Sequence, residues 1–311
     1  MAKNDSFTKK SYEWLENICN TKLYEIYSRN TVDAYLRMQQ ELKIIKQQGS
    51  APLFRMAYDI IDKTNIKRDE YFLGGYSASS IVLYLLNISD MDPLTAKPGL
   101  YPFFCFGING EIRFSIDLFL ATKAYRKVSE YIKMYSCEIK LEYKYFDDEK
   151  LRAISINASR NNDYKLEIGF NPISKRTLCN NVFKGEIFDL IKPATFEEKV
   201  KCYGLNLNKK YTWDKSAKQL YLSGKMSFNK LTAYREDVFE FLLKHHVDIE
   251  NAFEISQYVG KGLVQIKGWE PKMFDVMKKA KIPSWYLDSI SKLIFLPSRA
   301  HAMSLISFME K

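Results

Sequence analysis

The stretch between residues 71 and 94 limits the possible folds of this chain more than any other. An apolar run enters the pair Gly74-Gly75, serines follow, and a second apolar run, Ile81–Leu86, leaves the turn. This order predicts a strand, a tight turn and a buried helix. Glycines let the backbone approach a ligand closely, and free N–H groups at a helix start attract anions. A plain turn before a buried helix has the same pattern, but the loop is also a candidate phosphate site formed by Gly74, Gly75, Ser77 and Ser79.

The composition indicates a globular protein with room for one large domain or two ordinary ones. Of 311 residues, 46% are hydrophobic and 14% are aromatic, and no apolar run reaches the length of a membrane-spanning helix. The five cysteines are scattered, which is typical of reduced core thiols, and the pair His245-His246 has no further ligand at zinc spacing. We therefore expect a cytoplasmic protein without a membrane segment, a disulfide framework or a structural zinc site.

Positive charge is concentrated in residues 199–235. The whole chain carries 47 Lys and Arg against 37 Asp and Glu, a net charge of +10. The segment 199–235 holds eight Lys and one Arg against the single acid Asp214, a net charge of +8, and aromatic residues lie between the cations. Cations replace counterions on phosphates and aromatic rings stack on bases, so the segment predicts nucleic-acid binding. A solvated face with its aromatic residues turned inward is the alternative. The candidate contacts are Lys209, Lys210, Trp213, Lys215, Lys218, Lys225 and Lys230.

Periodicity predicts an α+β fold. Helices are expected before the glycine turn and after about residue 177, with strands between them. A hairpin is predicted in residues 101–119 around Asn109-Gly110, and strands follow at 137–145, 151–157 and 164–170. Two acids, Asp117 and Glu167, occur inside otherwise apolar strands. Such an acid is either a functional carboxylate at the end of a sheet or a surface residue on one of its faces.

The order of these pieces resembles the palm and the first part of the fingers of the C-family replicative DNA polymerases of bacteria, the DNA polymerase III alpha subunit of the PolC type. The most specific similarity is to a fingers segment of that family, in Ile282-Pro-Ser-Trp-Tyr-Leu-Asp-Ser289 and Phe295-Leu-Pro-Ser-Arg-Ala-His-Ala302. The stretch Gly74–Ser80 resembles a shortened form of the family's glycine- and serine-rich loop. Besides this loop, the resemblance implies phosphate or nucleotide contacts for Arg235, Lys261, Arg299 and His301.

The resemblance also implies a metal site, and here this chain departs from the family. C-family polymerases hold two metal ions with three carboxylates on two strands. This chain has Ser115 in place of the first acid, keeps Asp117, and has Glu167 in place of the third. A two-metal site needs hard oxygen ligands around ions about 4 Å apart, so at most one weakly bound Mg²⁺ is expected between Asp117 and Glu167. Tyr76 stands about where the family has an arginine, which removes a charge that would face a triphosphate.

The architecture implied by the resemblance has two domains. Residues 1–175 are expected to form a mixed-sheet, nucleotidyltransferase-like palm, and residues 176–311 an all-helical, fingers-like domain. The interval from Asp117 to Glu167 is too short for the family's thumb, so strands in about residues 137–157 are expected in its place.

We therefore expect a degenerate polymerase-like protein that no longer polymerises and needs no cofactor. It would bind primed or single-stranded DNA, or a replication-related protein. The first alternative is a minimal nucleotidyltransferase or DNA polymerase that uses Asp117, Glu167 and Mg²⁺. The second is a purely structural subunit of an oligomer or a larger complex.

Overall fold

The computed structural model describes residues 2–28, 31–94, 114–133, 151–161, 163–169 and 183–311, with side chains described within 8–28, 32–94, 116–132 and 183–311. The chain divides into two compact units, one made of residues 1–180 with Ser307–Lys311 and the other of Asn181–Ile306. The sequence predicted a boundary between residues 175 and 176 and assigned the C-terminal residues to the second domain. Ser307–Lys311 instead group with the first unit.

Three helices open the first unit: α1 (Ala2–Ile26), α2 (Thr31–Gln48) and α3 (Ala51–Thr64). Helix α1 is continuous over its 25 residues. Its buried residues recur every four positions at Leu15, Cys19 and Leu23, which is the spacing of one helix face. A similar stripe on α2 consists of Ala34, Met38, Leu42 and Ile45.

The glycine stretch forms the predicted strand, turn and helix. Strand β1 covers Tyr71–Gly74, a 3₁₀ turn covers Gly75–Ser79, and the short helix α4 covers Ile81–Leu85. Ser80 caps this helix because its hydroxyl oxygen accepts a hydrogen bond from the Leu83 N–H at 3.1 Å. The apolar run of the helix is buried, as the sequence predicted.

Strand β1 belongs to a four-stranded sheet with β2 (Phe114–Ala121), β3 (Leu151–Asn161) and β4 (Asp163–Gly169), in the order β1-β2-β3-β4. Every pairing among these strands is antiparallel, so the expectation of a mixed sheet is wrong for the described strands. Helix α5 (Thr122–Lys133) follows β2 directly. It contacts β2 and β3, as does α3.

Strand β2 shows the alternation of a sheet with one buried face. Ile116, Leu118 and Leu120 are completely buried, whereas Asp117 and Phe119 between them are half-buried. Of the region expected to replace the thumb, residues 151–157 pair with β2 and are part of the sheet. Residues 137–150 and the predicted hairpin residues 101–113 lie outside the described residues.

The described part of the second unit, residues 183–306, is helical apart from its turns and loops. It contains a π-helix at Lys210–Ala217 and the following helices: α6 (Glu186–Ile191), α7 (Phe196–Asn206), α8 (Lys218–Leu222), α9 (Arg235–Lys244), α10 (Ile249–Gly260), α11 (Leu263–Lys267), α12 (Pro271–Lys279), α13 (Ser284–Ser291) and α14 (Arg299–Met309), whose last three residues belong to the first unit. Its core joins apolar residues of α9, α10, α12 and α13.

Among the described residues, no helix combines the length and the apolar character needed to cross a bilayer.

Candidate functional site

The serine hydroxyls of the glycine loop donate to the loop itself. Ser77 Oγ donates to the Gly74 carbonyl and Ser79 Oγ to the Tyr76 carbonyl, each at 2.7 Å. Both serines are buried, with 4% and 3% of their surface exposed. These hydroxyl protons therefore close the turn, and the structure does not direct them toward a ligand.

The two glycines serve different purposes. Gly74 has an extended backbone, but a Cβ atom on it would lie 2.0 Å from Cε2 of Phe119, whose ring stacks on Phe72 with the ring centroids 4.7 Å apart. Gly75 has a φ of +62°, a conformation that favours glycine. Packing of an aromatic ring and one left-handed residue thus explain the glycine pair without a phosphate.

A carboxylate of the protein occupies the start of helix α4. Glu41, on α2 and only 3% exposed, accepts hydrogen bonds from the Ser80 hydroxyl at 2.7 Å and from the backbone N–H groups of Ile81 and Val82 at 3.2 and 3.3 Å. Arg37 completes the arrangement, because its Nε donates to Glu41 at 2.8 Å. The N–H groups that the sequence suggested for an external anion are therefore bonded to an internal one.

Asp117 lies close to this loop. It pairs with Gly74 in the register of β1 and β2, and its Oδ2 would lie 3.5 Å from a Cβ atom on Gly75. The same face of the sheet carries Phe119 and Phe72, and the ring of Phe308, near the C-terminus, lies 5.3 Å from that of Phe72. Side chains of the protein therefore cover part of the face on which Asp117 stands.

The two acids predicted to share a metal ion are not on adjacent strands. The register places Asp117 opposite Ser155 on β3, and Glu167 opposite Asn157, which is itself opposite Ser115. Because β3 lies between β2 and β4, the backbones of Asp117 and Glu167 are about 10 Å apart across the sheet and two residues out of register. No group of three or more metal-ligating side chains occurs within the described part of the chain.

Arg235 and Arg299, predicted to bind phosphate, are bonded within the second unit. Arg235 donates to the Leu296 carbonyl at 2.8 Å and to the Gln257 side chain at 3.0 Å. Arg299 forms a two-pronged ion pair with Glu240 at 2.8 and 3.0 Å and contacts Asp237 at 3.0 Å. The structure therefore assigns both guanidinium groups to internal contacts.

The pKa values of two acids near Arg299, Asp237 and Glu236, are shifted in opposite directions. Burial alone would raise the pKa of Asp237, but the charges of Lys201 and Arg299 hold it below its ordinary value. Lys201 Nζ lies 2.9 Å from Asp237. Burial raises the pKa of Glu236 from 4.5 to about 7, although it accepts a hydrogen bond from the Arg299 N–H at 2.9 Å. The acids and cations form one internally neutralised cluster.

His301 and Lys261 are the remaining predicted phosphate contacts. Burial lowers the pKa of His301 from 6.5 to about 4, so the imidazole is neutral near pH 7 and carries no positive charge for a phosphate. Lys261 is exposed at the end of α10, beside Gly262, where a Cβ atom would lie 2.2 Å from the Ile294 carbonyl oxygen. A phosphate contact by Lys261 stays a prediction.

The basic segment divides into paired and exposed cations. Trp213 is completely buried and its indole N–H donates to Glu186 at 3.3 Å, so it cannot stack on a base, contrary to the sequence prediction. Lys209 and Lys218 each lie 2.7 Å from Glu186, and hydrogen bonds from Lys209, Lys218 and Trp213 lower the pKa of Glu186 to about 2. Lys209 also pairs with Asp214 at 2.9 Å.

Four other lysines of the segment are exposed: Lys210, Lys215, Lys225 and Lys230. Aromatic rings accompany three of them. Lys210 and Lys215 lie by Tyr211, and Lys225 lies by Trp285 of α13. Tyr211 is one of the aromatic residues that lie between the cations of the basic segment, whereas Trp285 is 60 residues from Lys225 in the chain and gave no local signal.

Comparison with known proteins finds one family match and several relatives, and the family match lies in the first unit. Residues 13–150 match the family described as the bacterial DNA polymerase III alpha NTPase domain. The PolC-type DNA polymerase III of Halalkalibacterium halodurans is 29% identical over 124 residues, and those of Staphylococcus haemolyticus and Staphylococcus aureus are 31% and 30% identical over the same length. The resemblance to the PolC-type polymerases is thus confirmed.

Each of these matches covers 40% of this chain and 8% of the relative. The chain therefore matches only a small part of the curated relatives. The family match ends at residue 150, so the similarity of the later segments to the fingers stays a prediction.

Proposed function

We propose that this chain is a degenerate relative of the DNA polymerase III alpha palm and fingers that binds primed or single-stranded DNA and no longer polymerises. The observation that carries the proposal is the division of its cations. Two of those predicted to contact phosphate, Arg235 and Arg299, are bonded inside the protein. Lysines of the basic segment, in contrast, are exposed and can replace counterions on a DNA backbone.

Three further features support the loss of polymerisation. The Glu41 carboxylate accepts hydrogen bonds from the N–H groups at the start of α4, and its negative charge would repel a triphosphate there. Ser115 supplies a hydroxyl where a carboxylate would hold a metal ion. The two remaining acids lie on strands separated by a third. Phosphoryl transfer depends on positioned phosphates and on metal ions together, and each is weakened here.

Two measurements on the full chain test the proposal. Fluorescence anisotropy with labelled single-stranded and primed DNA at low ionic strength should show binding that weakens as salt is added. Primer extension with Mg²⁺ or Mn²⁺ should yield no product. Undetectable binding at low salt would contradict the DNA-binding part. Product formation that disappears in Asp117→Asn would instead establish the minimal nucleotidyltransferase that uses Asp117, Glu167 and Mg²⁺.

A purely structural role is a second candidate function. It is favoured by the face of the sheet around Asp117, where Phe72, Phe119 and Phe308 pack together. A face filled by side chains has less room for a substrate than an open one. This role predicts a defined oligomer or complex that binds neither nucleotide nor DNA. Sedimentation of the purified chain, combined with the anisotropy titration, distinguishes it from the first proposal.

A further inference from the structure

Tyr211 lies between two exposed lysines on the π-helix. Lys215 Nζ is 4.6 Å and Lys210 Nζ is 5.6 Å from the centroid of the Tyr211 ring. The ring itself is half-buried. Neither lysine has an acidic group within 4.0 Å among the described residues, and the neighbouring Asp214 pairs with Lys209. The ring therefore has two ammonium groups over it, which can move to phosphates when a base takes their place on the ring.

Trp285 has a similar environment on α13. Lys225 Nζ lies 4.8 Å from the centroid of its ring, and this lysine is exposed and without an acidic partner in the described part of the chain. The centroids of the Tyr286 and Phe241 rings lie 5.7 and 6.4 Å from that of Trp285, and both rings are nearly perpendicular to it. Tyr286 is buried. This packing fixes the half-buried indole in place.

A buried contact brings the two aromatic residues onto neighbouring helices. Ser216 of the π-helix and Ser289 of α13 are joined by a hydrogen bond of 2.7 Å between their hydroxyls. Tyr211 lies about one π-turn before Ser216, and Trp285 about one α-turn before Ser289. Packed helices have axes about 8–10 Å apart, so a short stretch of extended chain can reach both rings.

We propose that Tyr211, with Lys210 and Lys215, and Trp285, with Lys225, stack on bases of a single-stranded nucleic acid. This inference rests on the proposed DNA binding and identifies the form that is bound. An aromatic face can stack only on a base that is not paired and enclosed within a duplex, and stacking accepts any base. The lysines within 6 Å of the rings, two at Tyr211 and one at Trp285, neutralise phosphates next to the stacked bases. Trp213, the aromatic residue that the sequence indicated, has no such role because it is buried.

The test separates stacking from charge. The full chain is titrated with a labelled 12-residue oligo(dT) and with an abasic oligomer of the same length, which has the same phosphates but no bases. Oligo(dT) should bind about tenfold or more tightly. Tyr211→Leu and Trp285→Leu should each weaken oligo(dT) binding about tenfold and leave binding of the abasic oligomer unchanged. Tyr211→Phe and Trp285→Phe keep an aromatic ring and should bind nearly as the wild type does.

Trp269→Leu is the matched control, since Trp269 is half-buried in the same unit but lies beside Tyr258 instead of a lysine. Its affinity for both oligomers should be that of the wild type. Equal binding of oligo(dT) and the abasic oligomer would overturn the stacking inference and leave the proposed DNA binding intact. Failure of both oligomers to bind would overturn both. The comparison of the two oligomers on the wild-type protein decides the question even if a leucine variant does not fold.

Discussion

At the scale of single residues, Gly74 shows how a residue type can be needed for packing. A Cβ atom at this position would lie 2.0 Å from the Phe119 ring, which is held by its stacking on Phe72. The absence of a side chain is what lets the ring lie across the strand. This contact explains the glycine more directly than a ligand does.

Replacement of Gly74 by alanine should therefore destabilise the fold by about 1–3 kcal/mol, because the ring must move from its place. Urea denaturation measures the loss. Phe119→Leu in the same chain should relieve part of it. Gly75→Ala is the matched control: its cost of about 1–2 kcal/mol comes from the left-handed backbone, so Phe119→Leu should not relieve it. An additive double variant of Gly74 and Phe119 would contradict the packing explanation.

Glu236 links stability to pH. Its pKa rises from 4.5 to about 7 on burial, so the folded state holds the proton more tightly than the unfolded state does. This contribution to stability is complete below pH 4.5 and declines as the pH rises to about 7, where the folded carboxyl ionises.

Glu236→Gln does not titrate and should gain about 3 kcal/mol relative to the wild type between pH 4.5 and pH 8. Urea denaturation of both proteins at pH 5 and pH 8 checks this expectation. Glu250→Gln removes an exposed carboxylate of α10 and serves as the control. If the stability difference between Glu236→Gln and the wild type were the same at both pH values, the raised pKa would be wrong.

At the scale of elements, the contact between α2 and α4 explains why the glycine loop is ordered without a ligand. Helix α4 has only five residues, too few to be stable by itself, and Glu41 of α2 satisfies two of its first N–H groups. Arg37 balances the charge of this buried carboxylate. One helix thus caps another from a distance of 40 residues in the chain.

Glu41→Ala should cost about 3–5 kcal/mol, because it removes the carboxylate that Arg37 and the α4 N–H groups bond. Glu41→Gln keeps an acceptor oxygen and should cost less. Gln40→Ala, on the exposed side of the same helix, should change little. Hydrogen exchange gives a local measurement: the amides of Ile81 and Val82 should exchange faster in Glu41→Ala. Unchanged exchange at these two amides would show that Glu41 does not cap the helix.

At the scale of the whole molecule, the net charge of +10 is a poor guide to where nucleic acid would bind. The second unit uses Lys201, Lys209, Lys218 and Arg299 for internal ion pairs. The exposed lysines of the basic segment, Lys210, Lys215, Lys225 and Lys230, are left to contact phosphates.

The salt dependence of binding should reflect these four lysines. For single-stranded DNA, four phosphate contacts predict a slope of about −3 in a plot of log K against log salt concentration. Glutamine at all four positions should bring the slope close to zero. Glutamine at Lys272, Lys278, Lys279 and Lys281, four exposed lysines on or next to α12, makes the same change in charge and should leave the slope as it is. Equal slopes for the two quadruple variants would place the DNA elsewhere.

The sequence by itself determined the features that depend on neighbouring residues. Periodicity predicted α2, α3 and the strands β3 and β4, and the glycine pair predicted the strand, turn and helix around residue 75. These patterns can be read because hydrophobic spacing and backbone conformation are set within a few residues. The order of the same pieces also disclosed the resemblance to PolC-type polymerases.

Only the tertiary structure decided what the polar residues do. Arg299 and Glu240 are 59 positions apart in the chain, and the buried Trp213 donates to Glu186, which is 27 positions away. Chain order gives no sign of such partners. A buried charge must find a partner wherever folding brings one near. The N–H groups that the sequence predicted for a phosphate therefore bond a carboxylate from another helix of the protein.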